Sequence, residues 1–463
     1  MTLVPLAPPP GLDSDNSAFA AQGRWADGSN VRPYNGSMET IGRYSAVITL
    51  AGSQSIADLT QVGPSAGGTY TIIGTGNKLW AGVGFNSPTD VSPAGLVGNA
   101  GSWSFASYGD TLMCSPNDSK LYQYTLGGGA ASHIAQAPVQ IRVVLVARRQ
   151  VLALGCNEEI SGVFNGRCIR GSDIEGPTDW TTTSANNAFE YVLDDPGSIL
   201  AGKVLGENIA VWTSSSLWLG TFVGNPSEVY QFERIEGAPG AVGPNAVCIF
   251  GQTVYWFAPD LQIWEWSPGA PPAAVPCPIS KEFRDNLDSN DFIRIVAVPH
   301  FSEIWLFYVD SRDGVGDPSR YIAFNQQGQW FRGILARPGA WAGNGLFLAT
   351  NTNVVYSHDL TTGTAPTWFL QSADQYMDNG RRRMMIRSCI PDFKDQAGDI
   401  SLTIYTRDRP QSAETAKGPY AIANTATKKD LHASGKLLSV KLSGSSYMRL
   451  GKPTFDIVSV GER

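Results

Sequence analysis

An aliphatic residue followed by an aromatic one, usually just after a small polar turn, recurs along this chain. It appears as Leu79-Trp80 in NKLW, Leu121-Tyr122 in SKLYQY, Leu217-Trp218 in SSLWLG, Ile263-Trp264 in LQIWEW, Ile304-Trp305 in SEIWLF and Val355-Tyr356 in TNVVYS. Successive marks lie 42, 96, 46, 41 and 51 residues apart. The gap of 96 spans two periods, and its missing mark falls near Ile169 in RCIRGSD. A period of roughly 40 to 50 residues is the length of one four-stranded propeller blade. A lone blade cannot bury both faces of its sheet, so such units pack face to face around an axis.

The local pattern agrees. Short apolar alternations such as Tyr70 to Ile73, Ile209 to Trp212 and Thr253 to Phe257 are separated by Gly, Pro, Asn and Ser, which reads as strands and hairpins. Only Ile279 to Leu287 reads as a short helix, with Ser280 as its N-cap and Glu282 in the first turn. With 50 Gly in 463 residues and 16% charged residues, against an average of about 25%, the chain is no helical bundle. Its 42% hydrophobic content excludes disorder. The expected class is all-β: a β-propeller of six or seven blades over residues 46–363, a Pro-rich N-terminal arm over 1–45 and a β-sandwich-like extension over 364–463. Unrelated stacked β-sandwiches are the alternative. In the extension, strands are expected at Met384 to Ile390, Asp399 to Tyr405, Lys436 to Leu442 and Phe455 to Val460.

The formal net charge of −7 is unevenly spread. From Thr364 onward there are 15 Lys and Arg against 10 Asp and Glu, leaving 19 against 31, net −12, before it. Nonspecific adhesion of the whole surface to nucleic acid or anionic lipid needs dense Lys and Arg and is not expected. The start, MTLVPLAPPPG, has neither the basic region nor the apolar core of a secretory leader, and no run reaches the length of a membrane span. A cytosolic site of synthesis follows as an expectation. The six cysteines lie far apart without a CxxC pair, as buried free thiols would.

Searches for chemistry return little. His133, His300, His358 and His432 have no partners at metal-ligand spacing. GTGNK at Gly74 and GAPGAVG at Gly237 lack the phosphate-loop spacing and read as turns. SDIEGPTDW, from Ser172 to Trp180, is an imperfect copy of the Asp-box turn of sialidases. The adjacent pairs Glu158-Glu159 and Asp194-Asp195 would point to opposite faces of a strand and so do not form an acid/base pair. NLDSND, with Asp288 and Asp291, lacks the order and closing Glu of a calcium loop. No enzymatic activity, metal or cofactor is expected.

The opening segment is more specific. Pro8-Pro9-Pro10-Gly11 is followed by Gly23-Arg24-Trp25, Asp27-Gly28, Asn30-Val31-Arg32, Gly36 and Ile41-Gly42. Later come NDSKLY from Asn117, the stretch from Arg170 to Asp179-Trp180-Thr181, YQFERI from Tyr230, and Tyr321 to Trp330. In this order the motifs resemble the tail nozzle, or tail accessory, proteins of short-tailed bacteriophages, over roughly residues 5 to 360. The resemblance implies a β-propeller in a hexameric ring below the portal and adaptor ring, carrying tail fibres or spikes. Such a virion protein, assembled in the host cytoplasm, extends the DNA-exit channel, retains the genome and guides its ejection. Double-stranded DNA would pass without specific binding, which an acidic wall favours.

Trp25, Asp27 and Arg32 are the expected assembly contacts of the arm, docking on the propeller or on a neighbour. Replacing Trp25 or Arg32 by Ala should then impair tail assembly while leaving the monomer folded. Arg381, Arg382 and Arg383 form a basic loop suited to a subunit contact. A rival reading is a propeller that binds or hydrolyses host envelope sugars, with Trp264, Trp266 and Trp341 stacking on rings. A scaffolding or anti-host protein absent from the particle is a third.

Overall fold

The computed structural model describes residues 2–52, 54–96, 101–225, 228–288, 292–314, 316–337, 339–342, 346–350 and 352–460. Among them, seven antiparallel four-stranded sheets follow one another along the chain. The first six each take their strands in sequence order, starting respectively with Ile56–Val62, Trp103–Tyr108, Ile141–Ala147, Ile199–Leu205, Val247–Phe250 and Arg294–Val298. The seventh is built from Gly339–Ala342, Leu346–Ala349 and Val354–Leu360, and its outer strand is Arg43–Thr49, supplied from near the amino terminus. The first strand of each sheet touches the first strand of the next, and the seventh returns to the first. The chain is therefore a β-propeller whose ring is closed by a strand from the other end of its sequence.

The aliphatic-aromatic marks explain the packing. Each of the seven falls in a different sheet, six on the third strand and Ile304-Trp305 on the second. A buried strand entered from a turn meets the pattern in either position, because Glu303–Tyr308 is enclosed along its whole length. Side chains of neighbouring sheets interlock: Leu145 and Leu154 with Ile209 and Trp218, Trp212 with Trp256, and Ile48 and Val355 with Ile73 and Trp80. Each such aliphatic or aromatic side chain contributes about 1.5–3 kcal/mol on burial.

Three further sheets join the two ends of the chain. Thr2–Pro5 pairs with Thr454–Ser459, which continues to Met384–Ile390 and Lys429–Gly435. Trp25–Ser29 pairs with Trp368–Ser372, then Leu437–Gly444, Ile400–Arg407 and Thr415–Ile422. Val31–Tyr34 and Ser37–Thr40 lead to Arg449–Leu450 and Phe393–Lys394. One apolar cluster runs from Ile400, Leu402 and Leu442 through Trp25 and Trp330 to Phe257 and Ile304, so these sheets are cemented onto the fifth and sixth sheets of the ring. The arm thus forms strands shared with the carboxy-terminal segment.

The helix expected around Ile279 spans Ser280–Asn286, but Ser280 lies inside it and Ile279 stands at the N-cap without a side-chain bond. Asp15 from the arm does the capping. Its Oδ2 accepts from the Ser280 N–H and hydroxyl at 2.9 and 2.8 Å, and its Oδ1 accepts from the Lys281 N–H at 3.0 Å. A long-range cap of this kind has no local sequence pattern.

Gly42 joins the arm to the ring-closing strand at a point where no side chain fits: a Cβ there would stand 2.4 Å from the Asp359 Cα. Gly42→Ala is expected to cost about 3 kcal/mol or slightly more through forced backbone displacement, read as a lowered midpoint in urea denaturation.

Candidate functional site

The residues singled out in the arm sit where arm, ring and terminal sheets meet. Arg32 lies on Val31–Tyr34 and is 1% exposed. Its Nη2 is 3.0 Å from Asp359 Oδ1, on Val354–Leu360 of the seventh sheet, and its Nε is 3.5 Å from Glu303 Oε1, on the sixth. The guanidinium lies 3.8 Å from the Phe301 ring centroid, adding a cation–π contact. Burial opposes the charge, but Asp359 and Glu303 together hold the Arg32 pKa above its ordinary value.

Asp359, at φ 58°, also accepts the Gly42 N–H at 2.9 Å, so a single carboxylate pins both the arm and the start of the ring-closing strand. Glu303 is fully enclosed. Burial pushes its pKa up to about 7, although Arg32 and the Trp305 indole, which donates to Oε2 at 2.8 Å, pull the other way. Nearby, burial raises Glu39 against the pull of Arg32 and of Arg449, which is 3.2 Å away. Burial, with Arg337 and Arg32, drives His358 well below its usual range. Its Nε2 accepts from Arg337 Nε at 3.2 Å.

Asn30 adds a second tie. It adopts φ 57°, donates to the Thr367 carbonyl at 2.9 Å and accepts from the Tyr321 hydroxyl at 3.2 Å. Asp27 pairs with Arg332 at 2.7 Å and keeps a half-exposed side chain. Trp25 is completely buried.

Of the two dockings expected for the arm, on the propeller or on a neighbour, the first is the one seen within this chain, and the burial of Trp25 and Arg32 corrects the expectation that losing either would leave the monomer folded. Both are consumed inside their own chain, because a fully enclosed side chain has no surface to offer a neighbour, and their loss would damage folding itself. Arg381 and Arg382 are exposed, with Arg382 3.8 Å from Asp378. Arg383 is half-buried, and its Nη2 lies 2.6 Å from Asp408. The loop follows a turn at Asp378–Gly380 and enters the strand Met384–Ile390.

The other sequence features resolve into structure. Asp195 accepts from the Gly197 N–H at 2.7 Å and from Thr213 Oγ1 and Trp218 Nε1 at 3.0 Å each. Burial would raise its pKa, but hydrogen bonds from the Ser215 and Ser216 hydroxyls, the Trp218 indole and the Gly197 N–H bring it down to about 2, so it anchors a turn. In the stretch from Ser172 to Trp180, Asp173 accepts the Asn187 N–H at 2.8 Å and Trp180 is buried, again a structural turn. Trp266 is buried, and Trp264 is half-buried with one face stacked on Trp256. Asp291 and the Trp341 side chain lie outside the described residues. All six cysteines are free, and burial pushes the thiols of Cys114, Cys248, Cys277 and Cys389 up to about 12.

Two connected hollows lie on the propeller axis. One of about 490 Å³ opens at a mouth lined by Gln54, Asn77, Asn117, Asn245 and Phe292. The other, about 390 Å³, is walled by the first strands of the first six sheets and contains Asp58, Arg142, Lys203 and Arg294. Sequence reading missed Glu303 and Lys203. The available signal was one charge inside an otherwise apolar strand, in EIWLFY and ILAGKVL.

No family model matches this chain, and no curated protein does. Among solved structures it is similar to the computationally designed Ika8 protein, at 10% identity over 68% of this chain and 99% of that one, TM-score 0.42. The WD40 β-propeller domain of Doa1 matches at 10% identity over 68% and 96%, TM-score 0.44. The β-propeller domain of Myceliophteria thermophila Cps50 (Swd1) matches at 11% over 69% and 100%, TM-score 0.45. The fold assignment rests on the sheet order and ring closure described above.

Arg32→Ala would strand Asp359 and Glu303 without their cation, and a loss of about 3–5 kcal/mol is expected, measured by denaturant unfolding of the isolated chain. For Glu303 the sign follows from its raised pKa. The folded state keeps a proton that the unfolded chain releases above the ordinary value of 4.5, so this group's contribution is full below that and is lost as pH rises to about 7. The stability of the wild type relative to Glu303→Gln should therefore fall across that window and level off above it.

Proposed function

We propose that this chain is a structural virion protein, the tail nozzle of a short-tailed bacteriophage, built on a seven-bladed propeller with a second β unit made from both termini. The observation that carries the reading is the fate of the motif that suggested it. Trp25, Asp27, Asn30 and Arg32 lock the arm, the ring and the terminal sheets into one body through buried polar and apolar contacts. A part that must hold against internal genome pressure needs such ties between distant segments.

In this reading the size of the axial hollow decides where DNA can run. A hollow of about 390 Å³ corresponds to a sphere about 9 Å across, whereas the major groove of a duplex is by itself ~12 Å wide. The duplex therefore passes between copies, through the centre of a hexameric ring. Each copy contributes a region of net −12 before Thr364, which repels phosphate and lets the duplex slide. Arg381 and Arg382, exposed on the more basic terminal unit, are the subunit contacts in this reading. The channel is passive and has no enzymatic role.

Reconstruction of a particle containing this chain should place six copies around the axis below the portal and adaptor. Any other location, or a native mass other than six chains for the assembled ring, overturns the proposal. One observation favours the sugar-binding alternative: the mouth of the axis gathers amides and one half-exposed aromatic, Phe292, as neutral glycan sites do. Glycan-array binding abolished by Phe292→Ala would shift the reading there.

A further inference from the structure

We propose that the axial cavity is a binding site for a small oxyanion, a phosphate or carboxylate group held by the Lys203 ammonium. The argument starts from which charges in the cavity are already matched. Arg294 gives Nη1 to Asp58 Oδ1 at 2.6 Å and Nη2 to the Ala57 carbonyl at 3.0 Å. Asp58 uses its other oxygen to accept the Trp103 N–H at 3.0 Å. Arg142 gives Nε to Asp118 at 3.1 Å and Nη1 to the Ile199 carbonyl at 3.2 Å. These pairs are closed and neutral.

Lys203 lies on Ile199–Leu205 and lines the same space, and among the described residues no hydrogen bond or ion pair to its side chain is present. Its surroundings are felt across the axis. Burial lowers its pKa, Cys248 and Asp58 act to raise it, and Arg294 lowers it further. One positive charge is thus left over in a cavity whose remaining wall includes Val143, Leu145, Val204, Ile249 and Ile295. Lys203 is half-buried, and among these walls its unpaired ammonium gives up part of its hydration unless something of opposite charge meets it. A bound oxyanion would act against that burial and favour the charged form of the amine.

Size and access fit a small ligand. The cavity holds the volume of about a dozen water molecules at ~30 Å³ each. It shares Ser102, Pro244, Asn245 and Arg294 with the open mouth, so a solute reaches Lys203 without the ring opening. The inference is independent of any role in a virion.

Calorimetric titration of the full chain in low-salt buffer, with inorganic phosphate and separately with succinate, tests it. At least one should bind, and Lys203→Met should weaken that binding by about tenfold or more, while Lys203→Arg retains it. Binding of phosphate alone, of succinate alone or of both identifies the oxyanion. Unliganded Lys203→Met should melt at or above the wild-type temperature, because it removes an uncompensated charge. On the wild type, the bound anion should also protect Lys203 from reductive methylation, a readout that does not depend on any variant folding. No binding of either anion at tens of millimolar, or equal binding by Lys203→Met, or unprotected Lys203 in saturating anion, would overturn the proposal.

Discussion

A single buried guanidinium decides how the two ends of this chain meet. Arg32 cannot be enclosed without negative partners, and those partners stand on the sixth and seventh sheets of the ring, at Glu303 and Asp359. Apolar burial drives the arm against the ring but specifies no register. The ion pairs do, because a slip of one residue along Val31–Tyr34 would turn Arg32 to the opposite face and leave two carboxylates in the core. With that register fixed, Asn30 reaches Thr367 and Tyr321, Gly42 reaches Asp359, and the strand beginning at Arg43 is delivered to the open edge of the seventh sheet.

The two unusual cations are opposites in kind. Arg32 is surrounded by charge of the other sign and by aromatic faces, and it acts as a rivet. Lys203 faces a hollow in which every nearby carboxylate is already taken. Mechanical cohesion and potential recognition are therefore separated in space, the first at the seam with the arm and the second on the axis.

Much of the propeller was legible because its repeat is written in short-range chemistry. A turn, an aliphatic residue and an aromatic recur in six of the seven sheets, with Ile169 standing without its aromatic in the third, and burial of these side chains helps hold neighbouring sheets together. The terminal strands were also readable within a few residues: Met384–Ile390, Ile400–Arg407, Leu437–Gly444 and Thr454–Ser459 follow the alternation expected of them. What could not be read is pairing at a distance. Nothing local tells that Trp25–Ser29 is completed by Trp368–Ser372, that Asp15 caps the helix at Ser280, or that the arm forms sheets with the opposite terminus. The site suffered for the same reason. Trp25 and Arg32 drew attention correctly, but their partners are hundreds of residues away, and an enclosed residue looks the same in sequence as one reserved for a neighbouring subunit.

The strand that closes the ring has a consequence for how the molecule is made. Arg43–Thr49 precedes by some three hundred residues the segments it pairs with, Val354–Leu360 and, at Tyr44, Thr364. At synthesis rates of about 5–20 residues per second, it waits roughly 15 to 60 s for those partners. Thr2–Pro5 waits longer still, for Thr454–Ser459. Throughout that interval the nascent chain carries unpaired strand edges at its leading end and an unfinished ring behind it, both open to pairing with other chains. Ring closure and completion of the terminal sheets are consequently separate events, the second following only once Thr454–Ser459 has been made. A chain truncated anywhere before its last strands would be left with an open ring or an unpaired arm, which gives quality control a simple structural criterion for discarding it.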